Sequence, residues 1–307
     1  MLDPHALYEL TDDVPDLGQP VLIHALAGFV DAGAAARTAR EQLLRSLETR
    51  PIATFDLDQM YDYRSRRPMM SFTEDHWSGY DAPQLRLDLL HDDAETRFLL
   101  LSGPEPDLQW ERFVAAVSAL ISRLGVRLTV GIGAIPMAVP HTRPVGVTAH
   151  ATRPELIVGH EAWLQRVQVP ASAGHLLEFR LGEQGRDALW FSAHVPHYVA
   201  QGEYPAAAEK LLTSVSRATG LMLPTETLRG EAEEMRVTID QQVAQSDEAA
   251  TLVQTLEEQY DAFLRGRSKP SLLADDARPL PTADELAAEL ERFLAEQSPP
   301  PGDTPAG

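Results

Sequence analysis

Residues Gly125–Ala151 read GVRLTVGIGAIPMAVPHTRPVGVTAHA, and this stretch decides the fold. Leu128 to Ile135 is an almost unbroken apolar run of strand length. A run without polar alternation fits a strand covered on both faces of a sheet. Glycine and proline then interrupt the chain, and His141-Thr142-Arg143 occupies the turn. Val145 to Ala151 reads as a second buried strand. Gly131-Ile132-Gly133 lacks the third glycine of a dinucleotide fingerprint, and prolines follow it instead of a helix. Small residues at these positions let a neighbouring segment approach the strand.

The same pattern recurs outward from this stretch. Upstream, Val21 to Ala27 is a buried-strand run. Gly28-Phe29-Val30-Asp31-Ala32-Gly33 follows, with Asp31 placed to cap a helix whose stripe is Leu43, Leu44 and Leu47. Residues 6–10 suit a short edge strand, 51–57 and 84–90 two further strands, and 97–102 a buried one. Gly103-Pro104-Glu105-Pro106 ends that run, and Asp107 is placed to cap a helix carrying Trp110, Phe113, Val117, Leu120 and Leu124. Downstream, 155–167 reads as a short helix or irregular chain, and 175–181 as strand or helix. Residues 188–193 form a strand, and Pro205 opens a helix that ends near Gly220. Alternating strands and amphipathic helices define an α/β protein with a mostly parallel sheet covered on both faces. Ligands in such folds bind beyond the carboxyl ends of strands, here after Ala27, Leu57, Ser102, Ile135 and Ala193.

The carboxyl-terminal part differs. Met235, Ile239, Val243, Val253, Leu256, Tyr260 and Leu264 recur at helical spacing among acids. From Leu221 onward there are 18 acidic and 7 basic residues. The expected organisation is a core over 1–222, an acidic amphipathic helical extension over 223–265, and a linker, short helix and disordered tail over 266–307. Thr282 and Glu285 make a capping box for that short helix.

The formal charge of −20 disfavours nucleic acid and anionic membrane surfaces, which need clustered lysine and arginine. There is no cysteine, hence no thiolate metal site and no cysteine nucleophile. The absence of a long apolar segment and of a basic, apolar leader makes a cytoplasmic protein the expectation.

Seven residues at strand ends are candidates for a ligand site: Asp31, Arg64, Glu105, His141, Arg143, His194 and His197. Glu105, His141 and His194 are the candidates for catalysis. Prolines on both sides hold Glu105 at a strand end, where it can act as a general acid or base or form an ion pair. His141 can move protons, and Arg143 can take a carboxylate or phosphate bidentately or pair with an acid from another loop. His194 and His197 form an HxxH pair, but Pro196 breaks the helix that would align them, so neither a metal nor another cofactor is expected. Ser172 is not in a GxSxG elbow.

Taken together, Gly28–Gly33, Tyr63-Arg64-Ser65-Arg66-Arg67-Pro68, Gly103–Asp107, the run Gly131–Pro144 and His194-Val195-Pro196-His197-Tyr198 resemble the PAC2 (proteasome assembly chaperone 2) family in its actinobacterial branch. The resemblance covers roughly residues 6 to 265. It implies a three-layer α/β/α sandwich similar to the phosphorylase/hydrolase fold, a helical C-terminal addition, and self-assembly, with a trimer favoured. Eukaryotic relatives help assemble the 20S proteasome, which makes proteasome-related proteins the candidate partners. The chain ends Thr304-Pro305-Ala306-Gly307, so docking by a C-terminal hydrophobic-Tyr-any tripeptide is not expected. The expected function is that of a non-catalytic assembly chaperone or scaffold. The alternative is an enzyme or small-ligand binder using a polar pocket at the strand ends.

Overall fold

The structure is a computed structural model and describes residues 2–160 and 167–268. The chain divides into two compact units, Met1–Tyr260 and Asp261–Gly307. Of the second, only residues 261–268 are described, as the end of a helix.

The first unit is built on an eight-stranded sheet with the strands β1 (Tyr8–Leu10), β2 (Val21–Ala27), β3 (Thr49–Phe55), β6 (Arg86–His91), β7 (Arg97–Pro104), β8 (Leu128–Met137), β9 (Val147–Ala151) and β10 (Ala188–Pro196). A separate hairpin pairs β4 (Met70–Thr73) with β5 (His76–Tyr80). The sheet order is β1-β3-β6-β7-β2-β8-β10-β9. The central strands β7, β2, β8 and β10 are parallel, and antiparallel strands complete both sides. The helices are α1 (Ala35–Ser46), α2 (Trp110–Arg123), α3 (Ala173–Glu183), α4 (Pro205–Thr219), α5 (Glu226–Ala244) and α6 (Asp247–Ser268).

Side-chain alternation along the central strands sets the layers. Ile23, Leu100, Val130 and Phe191 face one core with α1, α4 and Leu228 and Ile239 of α5. Leu22, Leu99 and Leu101 face the other core with α2 and α3. The result is a three-layer α/β/α sandwich with C-terminal helices. Pro205 opens α4, and Gly220, left-handed at φ 82°, ends it.

Several expectations shift. β8 and β9 are not neighbours, because β10 lies between them and pairs with both. β9 is half-buried at the sheet edge, where one side has no strand to cover it. β7 runs through Gly103 to Pro104, because Gly103 and Pro104 pair in register with Leu26 and Ala27 of β2. Asp107 does not cap α2. Its carboxylate instead accepts from the Asp62 amide at 2.7 Å and from Arg66 at 2.6 Å. Residues 175–181 are helical. Residues 155–157 lie in a single 3-10 turn, and 161–166 fall outside the described residues. Residues 266–268, read as the start of the linker, belong to α6, while the capping box and tail fall outside the described residues.

The Gly-Ile-Gly segment has a steric explanation. Trp190 on β10 stands directly opposite Gly131 on β8. A methyl group on Gly131 would sit 2.0 Å from the indole Cε3, and one on Gly133 would sit 2.9 Å from Cζ2. The approaching group is thus the Trp190 ring, which lies against β8 where Gly131 and Gly133 carry no side chains. Gly131→Ala should cost about 1–3 kcal/mol by overpacking. Chemical denaturation checks this: in a double-mutant cycle with Trp190→Leu, the cost of the alanine should shrink, because the ring it strikes is gone.

Candidate functional site

A cavity of about 400 Å³ opens at the carboxyl ends of β2 and β8, between β9, β10 and the start of α3. The Gly28–Asp31 loop, Ile135 and Pro136 form part of its wall, and the Trp190 indole another part. The polar groups come from five places: Asp31 in the loop after β2, Glu105 after β7, Ser172 and His175 at the start of α3, Thr148 and His150 on β9, and Ser192 on β10.

Local chemistry fixes each of these. Ser172 is the N-cap of α3, its hydroxyl accepting from the His175 amide at 3.1 Å. The His175 Nδ1 lies 2.8 Å from the same hydroxyl. Glu105 accepts from the Ala173 amide at 2.5 Å, while its own amide donates to the Ala27 carbonyl at 3.1 Å. This ties the loop after β7 to both β2 and the start of α3, where a helix favours negative charge. Burial nevertheless pushes the Glu105 carboxyl above the ordinary range. His150 Nδ1 is 2.8 Å from Glu178. The His175 ring lies 4.3 Å from Trp190 and 5.5 Å from His150, so three rings form one aromatic wall. Trp190 Nε1 donates to Ser192 at 3.0 Å.

Histidines in and behind this wall are held neutral. His24 lies edge-on to Trp190 at 5.3 Å and is fully buried, and burial, with His175 adding to it, lowers its pKa to about 3. Burial, with His150 adding to it, lowers His175 to about 4, and burial alone lowers His194 to about 4. His194 is bonded to Thr148 at 2.8 Å.

The sequence candidates do not converge on one point. Asp31 and Glu105 line the cavity, and His194 sits behind Thr148. The Asp31 carboxylate also accepts from the Ala36 and Arg37 amides at the start of α1, at 2.9 and 3.0 Å. His141 and Arg143 lie elsewhere, under the acidic helices. The Tyr198 hydroxyl is 2.7 Å from His141 Nδ1, and Asp240 of α5 is 3.0 Å from Nε2. Arg143 pairs with Glu257 of α6 at 3.1 Å, and Thr142 donates to the same carboxylate. These residues hold the turn after β8 to α5 and α6. His197 is exposed while His194 is buried, so the HxxH pair diverges. Among the described residues, no three histidine or acidic side chains converge as a metal site. Arg64 is exposed. Arg66 instead reaches the Glu105 carbonyl and the Asp107 carboxylate, both at 2.6 Å, and lies over the Tyr61 ring.

Sequence reasoning missed His24, His150, His175, Trp190 and Arg66, and set Ser172 aside. One signal was available: Ser172 three residues before His175 is N-cap spacing for a helix. Nothing local marks Trp190, because its partners are glycines 57 and 59 residues away in the chain.

Fold and cavity define a class: a three-layer α/β/α protein with a cavity at the carboxyl ends of parallel strands and a helical addition packed on one face. Within that class the chain belongs to the PAC2 family, whose model matches residues 25–243. It is similar to a Mycobacterium tuberculosis protein of unknown function, Rv2714, at 48% identity and TM-score 0.82, over 85% of this chain and 90% of that one. A Corynebacterium glutamicum protein of unknown function matches at 38% identity and TM-score 0.81, over 85% of this chain and 99% of that one. The M. tuberculosis proteasome-assembly chaperone homologue Rv2125 matches at 29% identity and TM-score 0.70, over 76% of this chain and 99% of that one. Comparison with curated proteins returned no match. Among the described residues, no helix is long and apolar enough to cross a membrane.

The neutral histidines predict a pH dependence. Between about pH 6.5 and 4 the unfolded chain takes up protons that folded His24 and His175 refuse, so stability falls as pH falls through that window. Each contributes at most about 1.4 kcal/mol per pH unit. His24→Phe should flatten the slope of unfolding free energy against pH. An unchanged slope would show that His24 titrates alike in both states.

Proposed function

We propose that this chain is an assembly chaperone or scaffold that works through protein–protein contacts as a homo-oligomer, a trimer, in the cytoplasm. Proteasome-related proteins are the partner class. One observation carries this reading. The β4–β5 hairpin lies outside the main sheet, and every residue from Met69 to Tyr80 is exposed. Met69, Met70, Phe72, Trp77 and Tyr80 make it strongly apolar, and Phe72 meets Trp77 edge-on at 5.1 Å. A two-stranded hairpin alone in water is marginal. A contiguous exposed patch of methionine and aromatic side chains is interface chemistry.

The family supports the same direction. Rv2125 is described as a homologue of a proteasome-assembly chaperone, and the fold is shared along most of both chains. The charge of −20 fits work on protein surfaces better than on nucleic acid.

The test is the mass in solution. Wild type at tens of micromolar should run as a trimer by light scattering, and the Phe72→Glu, Trp77→Glu double variant as a monomer with unchanged far-UV circular dichroism. A monomeric wild type would sink the oligomer. A native pull-down without proteasome subunits would sink the partner class.

A further inference from the structure

The cavity beside Trp190 goes beyond assembly. We propose that it is a binding site for a small aromatic or heteroaromatic ring compound that presents N–H donors and carries no negative charge.

Size and position come first. About 400 Å³ lies within the range of small-ligand pockets, and the carboxyl ends of parallel strands are where open α/β sheets bind ligands. The walls give the shape. The rings of Trp190, His175 and His150 make one side, with Phe29, Ile135 and Pro136 also lining the cavity. Aromatic walls favour a flat ring, which gains offset or edge contacts beyond area burial.

Charge gives the sign. Among the described residues no lysine or arginine lines the cavity, while two carboxylates, Asp31 and Glu105, do. A phosphate or carboxylate would lose its hydration there and meet acids instead of cations. Hydrogen-bonding capacity gives the functional group. Glu105, Thr148, Ser172 and Ser192 line the cavity, and His175 beside them is neutral at pH 7. The two carboxylates only accept when ionised, and the hydroxyls can accept as well as donate, so a ligand that brings donors is complementary.

The test uses the isosteric pair benzamide and benzoate, with adenine as a second uncharged donor ring, on the full-length chain at pH 7.5. Ligand-observed NMR titration should show saturable binding of benzamide or adenine, with benzoate at least about tenfold weaker, a gap of about 1.4 kcal/mol. Ser192→Phe fills the cavity and should abolish binding. Phe29→Ala alters an exposed loop residue and should weaken it, so the inference stays testable if Ser192→Phe does not fold. The Phe72→Glu, Trp77→Glu variant should bind as wild type does, which separates this site from the assembly reading. Three results would each overturn the inference. One is no saturable binding of either uncharged probe up to millimolar concentration. Another is benzoate binding as tightly as benzamide. The third is unchanged affinity in Phe29→Ala and in a folded Ser192→Phe.

Discussion

The indole of Trp190 lying on the bare backbone of Gly131 and Gly133 is the contact from which the rest of the site follows. A large aromatic side chain on an inner strand needs room that the neighbouring strand and the covering helix must supply. Here the neighbouring strand makes room for it, and Gly174 lets α3 close over the ring, since a methyl group there would sit 2.8 Å from Cζ3. The seating of α3 places Ser172 and His175 at the cavity and brings the Ala173 amide to Glu105. His24 is sealed beneath the same ring. One packing decision therefore sets the cavity wall, the helix start and the protonation of the histidines behind it.

The acidic helices have a structural task as well as a solvated face. Asp240 and Glu257 meet His141 and the Thr142–Arg143 pair, and Tyr260 donates to the Pro144 carbonyl at 3.4 Å. These are partly exposed contacts, each of modest strength. Their value is geometric: several converge on one rigid, proline-bounded turn. The charge bias of the C-terminal part thus includes the groups that dock it.

Much of this architecture was legible in the chain. Buried strands announce themselves as apolar runs, so β2, β7, β8 and β10 stood out, as did α1, α2 and α4 with their apolar stripes. The hairpin at 70–80 did not, because an element without a buried face has no hydrophobic period to read. The site was half legible. Glu105 stood out through its flanking prolines and Asp31 through its place before a helix. His150, His175 and Trp190 depend on strand order, and β10 entering between β8 and β9 is a long-range event with no local mark. His141 and Arg143 were legible as residues of a turn and as candidates for the ligand site, with pairing to an acid from another loop as the other reading of Arg143. Their partners lie about 100 residues or more downstream, at Asp240 and Glu257, so spacing alone could not assign the pairing.

The borders of the sheet bear on how copies of this chain can associate. β1 has three residues and β9 five, so neither border offers a long row of free backbone donors and acceptors. Short borders are poor templates for strand addition from another molecule. Growth by joining sheet edge to sheet edge, one route to open filaments, is thereby discouraged.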